Sequence, residues 1–328
     1  MSVIFSIDIN GALRKRAPES RSSEKNGIFL KGDKGVTVIL IHGLTGTPNE
    51  MKFLATYLNK KGYSVACPRL AYHGEPLWSI KNAKWQDFYG SVRQALLEEV
   101  ASGSNGPIFT AGLSMGALLA LLLADEFKDR VCGVSCLAPT LFYDGWNTPA
   151  SSFFLPLGYR TFLKHFFYYK EEPPYGIKNE VIRSRVHKYY SNARLGDMES
   201  VEQYGYPYFP ITLLYQLQLL VRYLTKRLGG IRVPAQLIQA KDDDVASVKN
   251  SKFIYDRIGS EMKEMVLLYN SYHVITADHE RNTVAEKMED FFSRIIMEKP
   301  SGQGLDDEDK SFYFLPNRNI VNDTATTQ

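Results

Sequence analysis

A serine held between two glycines constrains the fold of this chain more than any other feature. Residues 111–117 read Ala-Gly-Leu-Ser-Met-Gly-Ala, with apolar residues before and after them. This order predicts a strand, a sharp turn and a helix. Ser114 at such a turn takes a strained backbone conformation, and a side chain at Gly112 or Gly116 would collide with the neighbouring element. The turn would raise the Ser114 hydroxyl above the sheet and aim the Met115 N–H at an anion beside it.

Strands and helices alternate on both sides of this turn. Apolar runs predict an edge strand at 28–30 and buried strands at 36–41, 63–67, 107–110, 131–137, 233–239 and 264–269. Helical spacing predicts helices at 51–58, 85–100, 248–257 and 280–297, besides the helix after the serine. Such alternation builds a parallel sheet with helices on both faces. The sequence therefore predicts an α/β protein with a doubly wound, mostly parallel sheet.

The alternation stops between residues 141 and 227, after the fourth main strand. About half of the chain's aromatic residues lie there, and helices are predicted near 178–191 and 210–228. An insertion at this point predicts a helical cap over the carboxyl edge of the sheet, where open α/β folds bind ligands. Most of its rings would pack the cap onto the core. Phe153, Phe154 and Phe166 are the candidates for lining a substrate pocket.

Outside the core and the cap the sequence is polar and aperiodic. Residues 9–26 and 299–328 lack the apolar periodicity of packed elements. We therefore predict an N-terminal arm at 1–26 and a core at 27–140 and 228–298. The cap would occupy 141–227, and a mobile tail 299–328.

Composition excludes several classes of function. Charged residues make up 23% of the 328 residues and the formal net charge is +3, too little to predict binding to nucleic acid or an anionic membrane. No apolar stretch reaches the roughly 18 residues of a membrane-spanning helix, and the apolar N-terminal run is too short for a signal peptide. Cys132 and Cys136 would lie about 13 Å apart on one strand, too far for a disulfide. We therefore expect a reduced, cytoplasmic protein without stable membrane insertion.

A serine hydroxyl is a weak nucleophile at neutral pH, so Ser114 needs a base, and the base needs an orienting carboxylate. On this architecture both follow the serine in the chain, the acid first and the histidine last, each on a loop after a strand. His273 follows the last predicted strand and is the candidate base. Two other histidines fit less well, because His42 precedes the serine and His279 is expected to begin the final helix.

Three consecutive aspartates, Asp242, Asp243 and Asp244, follow the strand predicted at 233–239. Adjacent residues in a loop point in different directions, so only one of them should reach the histidine. The other two are expected in a solvated acidic turn. No further metal ligands cluster nearby, so we expect neither a metal nor another cofactor.

The oxyanion of a tetrahedral intermediate needs N–H donors. Met115 is one candidate, and the loop at 42–46, His-Gly-Leu-Thr-Gly, offers the Leu44 N–H as the other. A glycine-rich loop after a strand could instead bind phosphate. The glycine spacing here is neither that of a Walker loop nor that of a dinucleotide-binding fingerprint, which favours the oxyanion role.

Four segments carry a resemblance to a known family: HGLTG at 42–46, GLSMG at 112–116, QAKDD at 239–243 and HVITAD at 273–278. Over about residues 28–140 and 228–297 the chain resembles the α/β-hydrolases, and among them the bacterial carboxylesterases and monoacylglycerol lipases. The resemblance implies a serine hydrolase and selects Asp243 as the acid, because the family acid stands four positions after the glutamine of its strand. Tyr72 and Tyr272 replace family glycines near the site, which implies a tighter substrate pocket.

The leading interpretation is a serine esterase that cleaves carboxylic esters of small to medium acyl chains through an acyl-enzyme. Its expected partner is a small acyl ester, and no oligomeric state is predicted. The same triad could act on thioesters or transfer an acyl group to another acceptor. A catalytically idle binding protein is a further alternative, which the complete set of triad candidates disfavours. A dehalogenase is excluded, because it would need a carboxylate where Ser114 stands.

The nucleophile gives the first test. Ser114→Ala should lower kcat by about 10⁴–10⁶-fold while the fold stays intact, because the members of such a triad act together. Ester hydrolysis and thermal unfolding of both proteins measure this. A variant that keeps more than a tenth of the activity would remove Ser114 from the role.

Overall fold

The structure is a computed structural model that describes residues 2–5, 27–102, 106–148, 158–159, 161–192, 201 and 203–298. Two of the candidate pocket residues, Phe153 and Phe154, lie outside the described residues. So do the predicted tail and residues 6–26 of the predicted arm. The core and most of the cap can be described.

Within the described residues, ten strands form two sheets. They are β1 (Ser2–Phe5), β2 (Ile28–Leu30), β3 (Thr37–Ile41), β4 (Ser64–Cys67), β5 (Ile108–Leu113), β6 (Val131–Leu137), β7 (Phe167–Lys170), β8 (Tyr208–Pro210), β9 (Ala235–Ala240) and β10 (Lys263–Leu268). The main sheet has the order β10-β9-β6-β5-β3-β4-β2. All its neighbouring strands run parallel, except that β2 is antiparallel to β4. The predicted strands of the core are all present.

Eight helices accompany the strands in the described part of the chain. They are α1 (Lys52–Lys60), α2 (Leu77–Ile80), α3 (Trp85–Ala101), α4 (Met115–Glu126), α5 (Glu180–Asn192), α6 (Ile211–Thr225), α7 (Val248–Arg257) and α8 (Arg281–Glu298). Among the residues described, none of the helices has both the length and the apolar character to span a membrane.

Two apolar clusters lie on opposite faces of the main sheet. Ile39 and Ile41 of β3 face a cluster that includes α3, α4 and α6. Val38 and Leu40 face the other cluster, which includes α1 and α8. Successive side chains of a strand point to opposite faces, so a strand buried on both sides needs an unbroken apolar run. The prediction of a doubly wound sheet is confirmed.

The cap differs from the prediction of a helical insertion. Helices α5 and α6 are present, but the cap also contains strands β7 and β8, which pair with each other, and β1 pairs antiparallel with β7. Three residues of the aromatic run at 166–169 belong to the strand Phe167–Lys170, in agreement with the preference of aromatic residues for pleated surfaces. Residues 2–5 of the predicted arm belong to this small sheet and pair with Phe167–Lys170.

The serine turn has the backbone that the two glycines permit. Ser114 has φ 58° and ψ −117°, outside the regions that most side chains allow. A Cβ added at Gly112 would overlap the backbone of Gly116, and one added at Gly116 would overlap the carbonyl oxygen of Ile41. Helix α4 thus packs against β5 and β3 at backbone distance, and this contact places Ser114 at the carboxyl edge of the sheet.

This contact gives a stability test with a matched control. Gly116→Ala should destabilise the protein by at least about 3 kcal/mol, because the neighbouring backbone cannot yield as a side chain would. Gly90→Ala in α3 meets nothing within 4 Å, so it should stabilise the protein by about 0.5–1 kcal/mol through higher helix propensity. Urea unfolding of the two variants measures both effects. Equal stability of the two variants would contradict the contact.

Candidate active site

Three side chains from separate loops meet at the carboxyl edge of the sheet. Ser114 follows β5, Asp243 follows β9 and His273 follows β10. The Ser114 Oγ lies 3.0 Å from Nε2 of His273. The Nδ1 of His273 lies 2.9 Å from Oδ2 of Asp243. The structure thus brings together the serine, histidine and aspartate that the sequence singled out.

Asp243 is fixed by three donors besides the histidine. Its Oδ1 accepts from the N–H groups of Val245 and Ala246, each at 2.8 Å. Its Oδ2 accepts from Nε2 of Gln239 at 2.7 Å. The carboxylate is 2% exposed, so its orientation toward His273 is set by protein groups alone.

The two neighbouring aspartates differ from each other. Asp242 is exposed, as expected of a solvated turn. Asp244 is buried, which contradicts that expectation: its carboxylate accepts from the N–H groups of His273, at 3.3 Å, and Gly176, at 3.1 Å. Burial, followed by the nearby Asp243, raises the pKa of Asp244 to about 6. Within the described part of the chain, no three His, Cys, Asp or Glu side chains are grouped as around a metal ion.

The electrostatics of the site favour a charged histidine. Burial opposes the charge on His273, but the Asp243 carboxylate, with smaller contributions from Asp244 and Glu50, outweighs burial and raises the pKa of the imidazole above its ordinary value. An opposite charge within hydrogen-bond distance stabilises the charged form. His273 is therefore well suited to receive a proton from Ser114.

The loop after β3 lies beside the nucleophile. A Cβ added at Gly43 would stand 3.7 Å from the Cβ of Ser114. Leu44 and Ser114 line the same cavity, and Met115 is the first residue of α4. The two predicted N–H donors are thus carried by the segments next to the Ser114 hydroxyl.

A half-buried side chain, Glu50, and a buried one, His73, hold this loop. Glu50 accepts from the Gly43 N–H at 3.0 Å, and burial raises its pKa to about 7. His73 places Nε2 2.6 Å from the carbonyl oxygen of Leu44. Burial lowers the pKa of His73 to about 4, so this ring is neutral and donates from Nε2. In the sequence, His73 is marked only by its position next to Tyr72, which replaces a family glycine, and nothing distinguishes Glu50 from a surface residue.

A cavity of about 300 Å³ lies above Ser114, under the cap. Its described lining combines the loop after β3 with aromatic, aliphatic and acidic cap residues, among them Tyr143, Tyr169, Glu171, Tyr175, Tyr190, Phe209 and Leu214. Burial, followed by the negative charges of Asp244 and Glu50, raises the pKa of Glu171 to about 8. At neutral pH the cavity is therefore largely apolar, with a protonated carboxyl group as a polar feature.

Three of the predicted pocket residues do not line this cavity. Tyr72 packs against the apolar core beside α3, and Tyr272 packs its ring on Trp146 with centroids 5.4 Å apart. Phe166 is 44% exposed, in the turn just before β7. None of the three belongs to the described lining of the cavity, so a role for these side chains in binding substrate stays a prediction.

The comparison with known proteins agrees with this geometry. Residues 33–280 match the Hydrolase_4 family, described as serine aminopeptidase, S33. The chain belongs to this family. A thermostable monoacylglycerol lipase from Bacillus sp. (strain H-257) is 30% identical over 270 residues, covering 81% of this chain and 94% of the lipase. A carboxylesterase from Bacillus subtilis (strain 168) is 25% identical over 273 residues, covering 81% of this chain and 95% of the esterase.

A solved structure has the same fold as this chain. One from work on LipS and LipT, two metagenome-derived lipolytic enzymes, has a TM-score of 0.66 at 24% identity and covers 84% of this chain and 100% of its own. The predicted resemblance to the α/β-hydrolases is confirmed.

The aspartates give a graded test. Asp243→Asn should lower kcat by about 10⁴-fold, because the acceptor that orients the imidazole is lost. Asp244→Asn should lower kcat by up to about tenfold, because an amide oxygen can replace only one of the two acceptors. Asp242→Asn is the exposed control and should change kcat less than about twofold. Steady-state ester hydrolysis measures the order. A greater loss in Asp242→Asn than in Asp243→Asn would contradict the assignment of the acid.

Proposed function

We propose that this protein is a serine hydrolase that cleaves carboxylic esters of small to medium acyl chains. One observation carries the proposal: a continuous hydrogen-bonded chain from Ser114 through His273 to Asp243 at the base of a largely apolar cavity. Its members have the distances and the order of donors and acceptors that acyl transfer to a serine requires.

Acylation begins when the Ser114 Oγ attacks the ester carbonyl carbon. The hydroxyl proton passes to Nε2 of His273, and Asp243 stabilises the resulting imidazolium through Nδ1. The carbonyl oxygen becomes an oxyanion that the N–H groups of Leu44 and Met115 hold. When the bond from carbon to the alcohol oxygen breaks, the imidazolium returns its proton to the departing alcohol.

Deacylation repeats these steps with water. The oxygen of a water molecule bonds to the acyl carbon while His273 takes a proton from that water. The bond from the acyl carbon to Oγ of Ser114 then breaks. The imidazolium proton returns to Oγ of Ser114, and a carboxylic acid leaves. These steps of acylation and deacylation require no cofactor.

The cavity lining supports an acyl substrate with a polar end. Leu214 and Phe209 supply apolar surface, while a protonated Glu171 can donate a hydrogen bond to an alcohol group. Relatives named monoacylglycerol lipase and carboxylesterase support the same class of substrate.

Other acyl donors are compatible with the same triad. Thioester hydrolysis or transfer to an alcohol would use the same steps, and parallel assays of a thioester and of added alcohols separate them from ester hydrolysis.

The family description names an aminopeptidase, which would hold a substrate ammonium beside an ionised carboxylate. Glu171 and Glu172 both line the cavity and could take that role, whereas the relatives named monoacylglycerol lipase and carboxylesterase favour an ester. An alanine p-nitroanilide is the control substrate.

A reducing compartment such as the cytoplasm is part of the proposal. Cys67, Cys132 and Cys136 are free thiols, and Cys67 and Cys136 are buried in the core. Free buried thiols are usual where disulfides do not form.

The cavity predicts the acyl preference. Each methylene buried there should contribute up to about 0.8 kcal/mol, so kcat/KM for p-nitrophenyl esters should rise about three- to fourfold per carbon from acetate. The rise should end at medium chain length, when the cavity is full. A flat series, or a maximum at acetate, would contradict an acyl pocket of this size.

Leu214→Phe provides the matched control for that series. The larger side chain should fill part of the cavity, so kcat/KM should fall at least about tenfold for the preferred ester and less than about threefold for acetate. An equal fall for both esters would mean that Leu214 does not contact the acyl chain.

A further inference from the structure

Ser114 has a second hydrogen-bond partner that the triad does not use. The Oγ1 of Thr140 lies 3.0 Å from the Ser114 Oγ, the same distance as Nε2 of His273. Thr140 is fully buried and is not among the residues that line the cavity. Its hydroxyl therefore contacts the reacting oxygen from the protein side, away from the substrate.

The loop after β6 holds Thr140 in place. Ala138 has φ 41°, and its N–H donates to the Ile238 carbonyl at 2.8 Å. On the other side, the N–H groups of Leu141 and Phe142 both donate to Oδ1 of Asn250, at 2.8 and 2.7 Å. Positions on both sides of Thr140 are thus fixed to neighbouring elements, and its hydroxyl has little freedom to move from the serine.

The available protons determine the direction of each hydrogen bond. A neutral His273 donates from Nδ1 to Asp243, so its Nε2 is an acceptor and takes the only hydroxyl proton of Ser114. The Ser114 Oγ can then only accept from Thr140. We propose that Thr140 is a fourth catalytic residue, which donates its hydroxyl proton in a hydrogen bond to the Ser114 oxygen.

The same hydroxyl serves the other protonation state. When His273 is protonated, its Nε2–H points at Ser114, and the serine proton turns to Thr140. The threonine proton then turns to the carbonyl oxygen of Ala138, which lies 3.3 Å from Oγ1. Thr140 can thus donate to Ser114 or accept from it, and no proton leaves it in either state.

The donated hydrogen bond matters most when the Ser114 oxygen carries charge. During deacylation the carbon–Oγ bond breaks and negative charge develops on Oγ before the His273 proton reaches it. A hydrogen bond from Thr140, whose side chain is fully buried, stabilises that charge. During acylation the same bond orients the Oγ lone pairs, so we expect a smaller effect on the attack itself.

The test compares Thr140→Val, which keeps the shape but lacks the hydroxyl, with Thr140→Ser, which keeps the hydroxyl. Thr140→Val should lower kcat for a p-nitrophenyl ester about tenfold, the range of one buried hydrogen bond. The pre-steady-state burst of p-nitrophenol should become easier to separate from the steady-state rate, because the substitution slows deacylation more than acylation. Thr140→Ser should retain kcat within about threefold. Thr110→Val removes another buried hydroxyl, which donates to the Ala120 carbonyl, and should leave kcat unchanged.

This inference rests on the proposed function, so a second readout is independent of ester turnover. The rate at which a fluorophosphonate labels Ser114 reports the attack alone, and it should fall about two- to threefold in Thr140→Val and recover in Thr140→Ser. If the wild type is labelled but hydrolyses no ester, the proposed function fails and labelling still tests Thr140.

Two results would overturn the role of Thr140. One is a folded Thr140→Val protein whose labelling rate and kcat both match those of the wild type. The other is a Thr140→Ser protein as impaired as Thr140→Val, because packing alone would then explain the loss. If Thr140→Val does not fold, as judged by thermal unfolding, Thr140→Ala takes its place in both comparisons.

Discussion

The close packing of Gly116 against the carbonyl oxygen of Ile41 determines where the chemistry can occur. It allows α4 to start immediately above β3 and β5, and the chain must then turn through the strained Ser114. Because β3 and β5 are neighbours in the sheet, the loop after β3 ends beside the serine. The nucleophile and one N–H donor are therefore positioned by backbone packing, and the imidazole is brought to them by side-chain hydrogen bonds.

The carboxyl groups around His273 fall into two kinds. Asp243 accepts from three protein donors, whereas Glu50, Glu171 and Asp244 have pKa values that burial raises to about 7, 8 and 6. Between the ordinary carboxyl pKa of about 4 and those values, the folded state holds protons that the unfolded chain has lost. The three groups therefore lower the stability of the fold as pH rises from about 4 to about 8. Of these four, Asp243 is the one whose carboxylate contacts Nδ1 of His273, at 2.9 Å.

The sequence predicted the core well because apolar runs and backbone constraints are local. The strands at 131–137 and 28–30 have the predicted bounds, and the two glycines indicated the serine turn. Asp243 could be distinguished from Asp244 only by family resemblance, because the difference lies in which backbone N–H groups surround each carboxylate. The ring directions of Tyr72 and Tyr272 depend on packing with distant segments, and so they could not be predicted.

Thr140, Glu50 and strand β7 could not be predicted for one reason: each depends on a contact that no local sequence motif marks. Thr140 and Glu50 have no motif of their own, and their importance comes from one contact each with Ser114 or Gly43. The strand β7 was missed because its partners, β1 and β8, lie far from it in the sequence. A short antiparallel strand at the surface leaves little signal in a single sequence, whereas an amphipathic helix shows helical spacing and a buried parallel strand shows an unbroken apolar run.

The cap contacts both loops that carry the site, and this limits how it can move. The Tyr206 N–H donates to the Thr45 carbonyl at 2.8 Å, next to Leu44 in the loop that we propose holds the oxyanion. On the other side, Gly176 donates to Asp244, and its carbonyl oxygen accepts from the Val274 N–H at 2.7 Å, beside His273. A rigid opening of the whole cap would break these bonds and release the donor loop and the base together. Entry of substrate must therefore leave these two cap segments in place, so that access to Ser114 depends on the rest of the cap.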